Sequence, residues 1–561
     1  MRDHQPTVID KFMGLWKRGD PEDTPLDHFE DGENFQFTSG NDIVTRDGID
    51  IHQSVEIPLS NIKRIYNYPT ITGNTLIVLV TNDAGAGEIY HVVNSTTVYG
   101  PLLTIAGMTD FAFIPYAGRA YISPFASFTV GELNVEKGLQ NQFLYVYAGD
   151  GTAARKAAGD SLAGSLIIAN GLAGYTDAGF HLFAFVAETI SGYLTPPGAI
   201  TGFTTVPSQS VSFGNIPVGN SNTQILSTYI PGIFNDNDDS YEDNLVFLKP
   251  ENELFLFEDI DKESGLVTTY PSSRTSVVQN PYIVRRHLVA TKVITNFNGD
   301  SQGYTFYFVP GGTIENNTDL FLNNISFYDA DLLEEASYLF DNYPAIPAGA
   351  VLTMYRNRLI VAATYEDISV GLVSTAGEPE AIDQILGLIE VPPDGNPITN
   401  GQELRDLLYV TKRSRTVAFT DNGDDPVTWP MVLIDNALGT FVHGIATVLD
   451  SGASTVDYLI VATYQGISLF NGRYIAPELS WKIEDLWKAL DRNEFRKIQI
   501  INAPIQKQLY IVLPTNDVLV GNYALGMDPM KMRWTVWSFS AVINTVAIVN
   551  IDDIILGAET N

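Results

Sequence analysis

Three features of this sequence predict an all-β protein: a strand phrase that recurs about every fifty residues, abundant turn and strand formers, and few stretches of helical periodicity. The phrase is one or two polar residues followed by Leu-Ile/Tyr-Val. It stands at 357–361, 406–410, 457–461 and 507–511, with a weaker copy at 552–556. Its central residues Leu359, Leu408, Leu459, Leu509 and Ile554 lie 49, 51, 50 and 45 residues apart. A period of that size marks stacked units that bury their apolar faces only against one another. The expectation is a β-propeller of about seven blades with an inserted antiparallel β-sandwich-like domain.

Taken in order, residues 1–60 read as an irregular N-terminal arm leading into the propeller, rich in Asp, Glu, Pro and Gly with a few short strands. Residues 61–164 are the first part of the propeller. There the phrase recurs around Leu76, Ala120 and Leu144, at steps of 44 and 24, so the third copy is another strand of the second copy's blade. Gly149-Asp150-Gly151-Thr152 then has the composition of a hairpin turn. The period vanishes over residues 165–345, too long a stretch for a structureless connection. Its short strands, 183–189, 211–217 and 304–309, are divided by turns such as Ser191-Gly192 and predict the sandwich-like insert. Residues 346–561 are the second part of the propeller and its closure. Two helices are expected, one over 331–336 and one capped by Ser480 with Ile483, Leu486, Trp487 and Leu490 on one face.

The 561 residues are 45% hydrophobic and 17% charged, with 27 Tyr, 29 Phe and 46 Gly, which suits a strand-rich fold with ample core. Cysteine is absent, so disulfides, thiolate metal sites and a Cys nucleophile are excluded, and assembly inside a reducing cell is the simpler account. The opening Met-Arg-Asp-His-Gln-Pro lacks the apolar stretch of a signal peptide, and the best apolar run, 76–80, is strand-sized, so no membrane span is expected. Formal net charge is −34, from 32 basic against 66 acidic residues. That field repels phosphate backbones. It serves solubility, or it forms an acidic wall past which DNA slides; screening to about 8 Å demands that such carboxylates line the passage itself.

No residue is nominated as catalytic, cofactor-binding or metal-ligating. His4, His28, His52, His91, His181, His287 and His443 are dispersed and form no His-x-x-His or His-Glu-x-x-His pair. Nucleophile elbows and phosphate-cradling glycine motifs are missing. The segment Asp421 to Trp429 loosely matches the Asp-box turn of sialidase propellers, a structural turn. The acidic loop 235–243 offers hard oxygen atoms to Ca²⁺ but lacks the glycine and distant Glu of an EF-hand, and reads as a solvated loop.

A set of phrases spread along the chain carries a resemblance. They are Lys11-Phe12-Met13-Gly14-Leu15, Arg18, Asp20-Pro21, Pro25, Asn34, Thr45-Arg46-Asp47-Gly48, and Leu144-Tyr145-Val146 through Gly149-Asp150-Gly151-Thr152 to Arg155. Glu188-Thr189 to Thr195-Pro196-Pro197, Arg356-Asn357-Arg358-Leu359, Ser374 to Glu380, Asp425 to Trp429 and Arg533-Trp534 complete it. Together they resemble a family of tailed-phage virion β-propellers, the tail nozzle or stabilisation-type structural proteins. The resemblance implies a non-enzymatic virion protein assembled in the host cytoplasm as a ring, commonly a hexamer, below the portal and adaptor. It implies a conduit for genome ejection with transient, non-specific passage of DNA, and a mount for fibre or tip proteins, with residues 165–345 contacting neighbours or fibres. Two other readings stay open: a distal tail protein binding a host-surface glycan, and a carbohydrate-active enzyme with paired carboxylates in a propeller mouth.

Overall fold

The computed structural model describes residues 12–559 apart from short gaps and the longer stretches 46–60, 218–227, most of 230–282, 298–303, 337–344 and 450–456. The chain divides into two compact units, Met1–Ala157 with Ile346–Asn561, and Ala158–Ala345. Both are built from antiparallel sheets, as the repeat and composition predict.

In the first unit the recurring phrase is the second strand of one meander after another. The first sheet is Ile62–Thr70, Gly73–Thr81, Ala86–Val92 and Val98–Ala106. The second contains Asp110–Tyr116, Arg119–Val130, Tyr145–Tyr147 and Arg155–Lys156, with Leu133–Gly138 also pairing to Arg119–Val130. The third, fourth, fifth and sixth sheets open with Gly349–Tyr355, Ile398–Leu404, Ile445–Leu449 and Gln499–Ala503, and each continues through three more strands. A hairpin, Val542–Val549 with Asp553–Glu559, follows.

The phrase has a local physical cause. Its polar opening is the turn: Arg356-Asn357 and Arg405-Asp406 all have positive φ, between strand partners Tyr355 and Arg358 and between Leu404 and Leu407. Two successive left-handed residues make the hairpin turn whose twist matches paired strands. The apolar remainder is buried on both faces, as at Leu459 and Ile460, because a neighbouring sheet covers each side.

Apolar clusters then link the sheets in a cycle. Ile77, Leu79, Phe111 and Ile122 join the first to the second, and Phe125, Ile360 and Leu408 join the second, third and fourth. Tyr409 with Leu459 joins fourth to fifth, and Ile460 with Leu509 joins fifth to sixth. The hairpin completes it, through Val546 against Tyr510 and Val512 on the sixth sheet and through Ala547 and Ile555 against Ile65 and Val78 on the first. The arm also contributes: Phe35–Phe37 pairs with Ile43–Thr45, and the Asn34 amide donates to the Val536 carbonyl on the sixth sheet at 2.9 Å.

In the second unit, Thr201–Thr205, Gly179–Thr189, Ile283–Thr291 and Phe306–Ile314 form one sheet in that spatial order. Ile167–Ala173, Gln209–Gly214 and Leu322–Ile325 form another. Phe183, Phe185, Val211, Phe213 and Leu288 share one core between them.

Two local expectations change. The helix over 331–336 is not formed; a single 3₁₀ turn, Asp329–Asp331, ends before it. The segment runs extended instead: the Glu334 carbonyl accepts from the Phe308 amide at 2.9 Å and the Ala336 amide donates to Phe306 at 2.8 Å. A six-residue helix gains little against the nucleation cost, whereas a sheet edge offers bonds at once. Near Ser480, a 3₁₀ turn Trp481–Ile483 leads into the α-helix Glu484–Ala489, and Ile483, Trp487 and Leu490 are buried as the spacing predicts. Ser480 does not cap it; its hydroxyl accepts from the Ile467 amide at 2.8 Å and ties the segment to the fifth sheet. Lys11, Asp20-Pro21, Arg46-Asp47-Gly48, Thr152, Ser191-Gly192 and the loop residues 235–240 and 243 lie outside the described residues.

Candidate functional site

The opening strands of the first and second sheets and the 542–549 strand of the hairpin, with the segments around His443 and Arg496, line a cavity of about 410 Å³. Its floor is a buried polar network. Arg64, on Ile62–Thr70, grips Asp110 at the start of the second sheet with Nε to Oδ1 at 3.0 Å and a second nitrogen to Oδ2 at 2.6 Å. Its third nitrogen donates to Gln499 Oε1 on the sixth sheet at 3.1 Å. The same oxygen accepts from Thr545 Oγ1 at 2.9 Å and from the Val546 amide at 3.1 Å, and Thr545 Oγ1 accepts from the Ile65 amide at 3.2 Å. His443, just before the fifth sheet, places Nε2 3.0 Å from Asp110 Oδ2 and Nδ1 3.3 Å from the Tyr66 hydroxyl, which donates to the Phe111 carbonyl at 3.1 Å.

The electrostatics follow from burial and pairing. Burial alone would raise the Asp110 carboxyl, but Arg64 and His443 outweigh it and hold that group well below the usual carboxylate range. Burial, aided by the Arg64 charge, lowers His443 despite Asp110 beside it, so the imidazole is neutral at pH 7. Burial pushes the Tyr66 hydroxyl far up. These groups satisfy one another, and what they do chemically is hold five elements together: the first, second, fifth and sixth sheets and the hairpin.

Further paired cations sit between sheets. Arg413 reaches Glu136 at 2.7 Å and also the Asn134 carbonyl. Lys412, fully buried, donates to Ser369 Oγ and the Pro392 carbonyl at 3.0 Å and to Asp394 at 3.1 Å. Lys482, also buried, donates to the Met530 and Met532 carbonyls at 2.7 and 3.1 Å.

The histidines, dispersed along the chain, are scattered in space as well. His91 bonds Tyr147 and Thr75 at 2.7 and 2.9 Å, His181 bonds the Thr291 carbonyl at 2.7 Å, and His287 meets Glu188 at 2.8 Å. His28 packs edge-on against Trp16, while His4 and His52 lie outside the described residues. Asp421 to Trp429 is a turn: Asp421 accepts from the Gly423 amide at 2.8 Å, and buried Trp429 donates to the Asp424 carbonyl at 3.1 Å. Gly149 and Gly151 both take positive φ in the hairpin turn before Arg155–Lys156. Among the described residues no group of three His, Asp or Glu could hold a metal ion, and no helix is long and apolar enough to cross a membrane.

What sequence reasoning missed is the cavity's basic lining. Lys63, Arg64, Arg496 and Lys497 face it, against Asp110 and Glu136. The available signal was local reversal of charge, Lys63-Arg64 and Arg492 to Lys497, in a strongly acidic chain.

No family model and no curated protein matches this chain. Among solved structures it is similar to Kluyveromyces lactis Hsv2, at 9% identity and a TM-score of 0.27, covering 85% of this chain and 98% of that one. It is also similar to the extracellular domain of a one-component system from B. thetaiotaomicron, at 11% identity and a TM-score of 0.21, covering 90% and 64%. Likeness at this level carries no argument about function.

Proposed function

We propose that this chain is a non-enzymatic structural protein of a bacteriophage tail, a nozzle-type component that assembles as a ring around the path of the ejected genome. In this reading the first unit is a seven-bladed β-propeller, with the 542–559 hairpin as its closing blade, and residues 158–345 are a sandwich-like insert that meets neighbours or fibres. The cycle of apolar clusters closed by the hairpin carries the reading, together with the phrases that resemble tail-nozzle proteins. A sheet series with no loose end resists deformation better than a chain of separable modules.

The cavity itself is no conduit, since Arg64, Asp110 and His443 bond to one another on its floor. DNA therefore passes between copies, and the surplus of 66 acidic over 32 basic residues lowers its affinity for the wall. Head-to-tail contacts that close are the symmetry such a channel requires. A second reading, glycan binding at a distal tail position, is favoured by the half-exposed Tyr175 and Tyr328, whose ring centroids are 5.0 Å apart. Symmetry-resolved imaging of the parent particle decides. The expected result is about six copies around an axial channel faced by carboxylates. Off-axis copies with Tyr175 and Tyr328 directed outward would replace the nozzle by the glycan reading.

A further inference from the structure

Two outermost strands of the first unit are treated differently. The last strand of the sixth sheet, Arg533–Trp537, is covered by the N-terminal arm. The Leu15 amide donates to the Trp534 carbonyl at 3.0 Å, and the Asn34 amide donates to that of Val536 at 2.9 Å. Taking outward groups at alternate residues is how an added strand binds a sheet edge. Part of the covering segment is apolar, Phe12, Met13, Leu15 and Trp16, and it ends in Lys17-Arg18. Arg18 meets the carboxylate of Glu484 at 3.3 Å.

The last strand of the fourth sheet, Met431–Asp435, has the same place and no such cover among the described residues. One bond sets the phase of its ladder: the Thr420 amide donates to the Pro430 carbonyl at 3.2 Å. Bonded and unbonded pairs alternate in an antiparallel ladder, so Val432 bonds to Ala418. Met431 and Leu433, opposite Phe419 and Val417, therefore turn their N–H and C=O groups to the open edge. The side chains are bare as well: Met431 is exposed, and Val432 and Leu433 are exposed by 56% and 53%. Exposed Val427, Ile385 and Leu386 extend this apolar surface toward the third sheet, where the Val427 amide donates to the Leu386 carbonyl at 3.0 Å. An open edge with exposed apolar side chains pairs readily with another strand.

Charge selects the partner. No charged residue stands from Pro426 to Ile434, but Asp424 and Asp425 precede that stretch and Asp435 closes it. Arg415, near the closing end, is engaged by Asn436 at 3.2 Å and by the Pro392 carbonyl at 3.1 Å. A second copy laid antiparallel brings its own Asp435 toward the Asp424-Asp425 end, and one laid parallel sets identical ends together. Both place carboxylate near carboxylate, which disfavours self-pairing. A strand with cations at its ends meets attraction at both. We propose that this edge accepts, by strand addition, an extended segment of a different protein, apolar in its middle and basic at its ends. The inference stands independently of the tail reading, since it concerns one edge of a single copy.

The test is fluorescence anisotropy of the full-length protein with three labelled peptides. They are Lys-Val-Thr-Val-Thr-Val-Lys, the same peptide with glutamate at both ends, and the lysine form with proline in place of its central valine. The lysine-ended peptide is expected to bind, about tenfold more tightly than the glutamate-ended one, and the proline form is expected not to bind. Leu433→Pro deletes an outward donor and spares the bonds to the neighbouring strand, so it is expected to fold and to weaken binding about tenfold. Asp424→Asn/Asp425→Asn, at exposed turn positions, is expected to weaken it about threefold. Hydrogen exchange adds a readout that general stickiness does not move: the peptide should slow the amides of Met431 and Leu433 and leave that of Val432 unchanged. Absence of binding at millimolar peptide overturns the proposal. So does equal binding of the glutamate-ended peptide, or binding without protection at Met431 and Leu433. A dimer in sedimentation that Leu433→Pro dissolves also overturns it, by making a second copy the occupant.

Discussion

Arg64 and Asp110 are 5% and 17% exposed at the side chain, and each would be an uncompensated charge without the other. Replacing Arg64 by Met is expected to destabilise the protein by about 3–5 kcal/mol, whereas Arg64→Met/Asp110→Leu recovers most of that loss. Urea unfolding of both variants checks this, and equal losses would show that the ion pair is not the source. His91 gives the pH dependence. Burial between Tyr147 and Thr75 pushes its imidazole down to about 4, below its ordinary 6.5. The folded state therefore favours the neutral ring, and that stabilisation is complete above pH 6.5 and disappears as pH falls toward 4. The unfolding midpoint should drop across that window, and His91→Gln should start lower at pH 7 and drop less. An unchanged slope in the variant would assign the effect to other groups. Neither residue announced itself in the sequence, where Arg64 is one of a basic pair and His91 sits in an ordinary strand. Their roles arise from partners 46 and 56 positions away.

The hairpin Val542–Val549 with Asp553–Glu559 is the element on which the cycle depends. Its two faces cover Tyr510 and Val512 on one side and Ile65 and Val78 on the other. Deleting residues 542–559 uncovers both, and the expected product is a species that binds a hydrophobic dye and elutes as aggregate in size-exclusion chromatography. A soluble, dye-silent monomer would show that the other sheets close without it. This element was partly legible: the phrase around Ile554 marked a strand, and the residue that follows it, Gly557, is one where a Cβ would come within 2.4 Å of the Thr545 side chain. The strong copies were legible because turn and buried strand lie within a few consecutive residues. The 331–336 segment was misread because Leu332-Leu333 and two glutamates suit a helix locally, while bonds to Phe306 and Phe308 come from a strand far back in the chain.

At the scale of the whole molecule, net charge understates how acidic the outside is. Among the described residues five cations, Arg64, Arg286, Lys412, Lys482 and Arg533, are each at most 5% exposed, against two carboxylates, Glu136 and Glu380. Composition revealed the excess but not its segregation, which depends on long-range contacts between sheets. The same contacts impose an order on biosynthesis. Phe35 and Phe37 are held by side chains of the sixth sheet, with Trp537 donating to the Phe35 carbonyl at 3.0 Å and Asn522 to that of Phe37 at 3.2 Å. The first sheet likewise waits for Gln499 and Thr545. A ribosome releases these partners last, so the earliest segments to emerge stay unfinished throughout translation, until the final residues arrive to lock them.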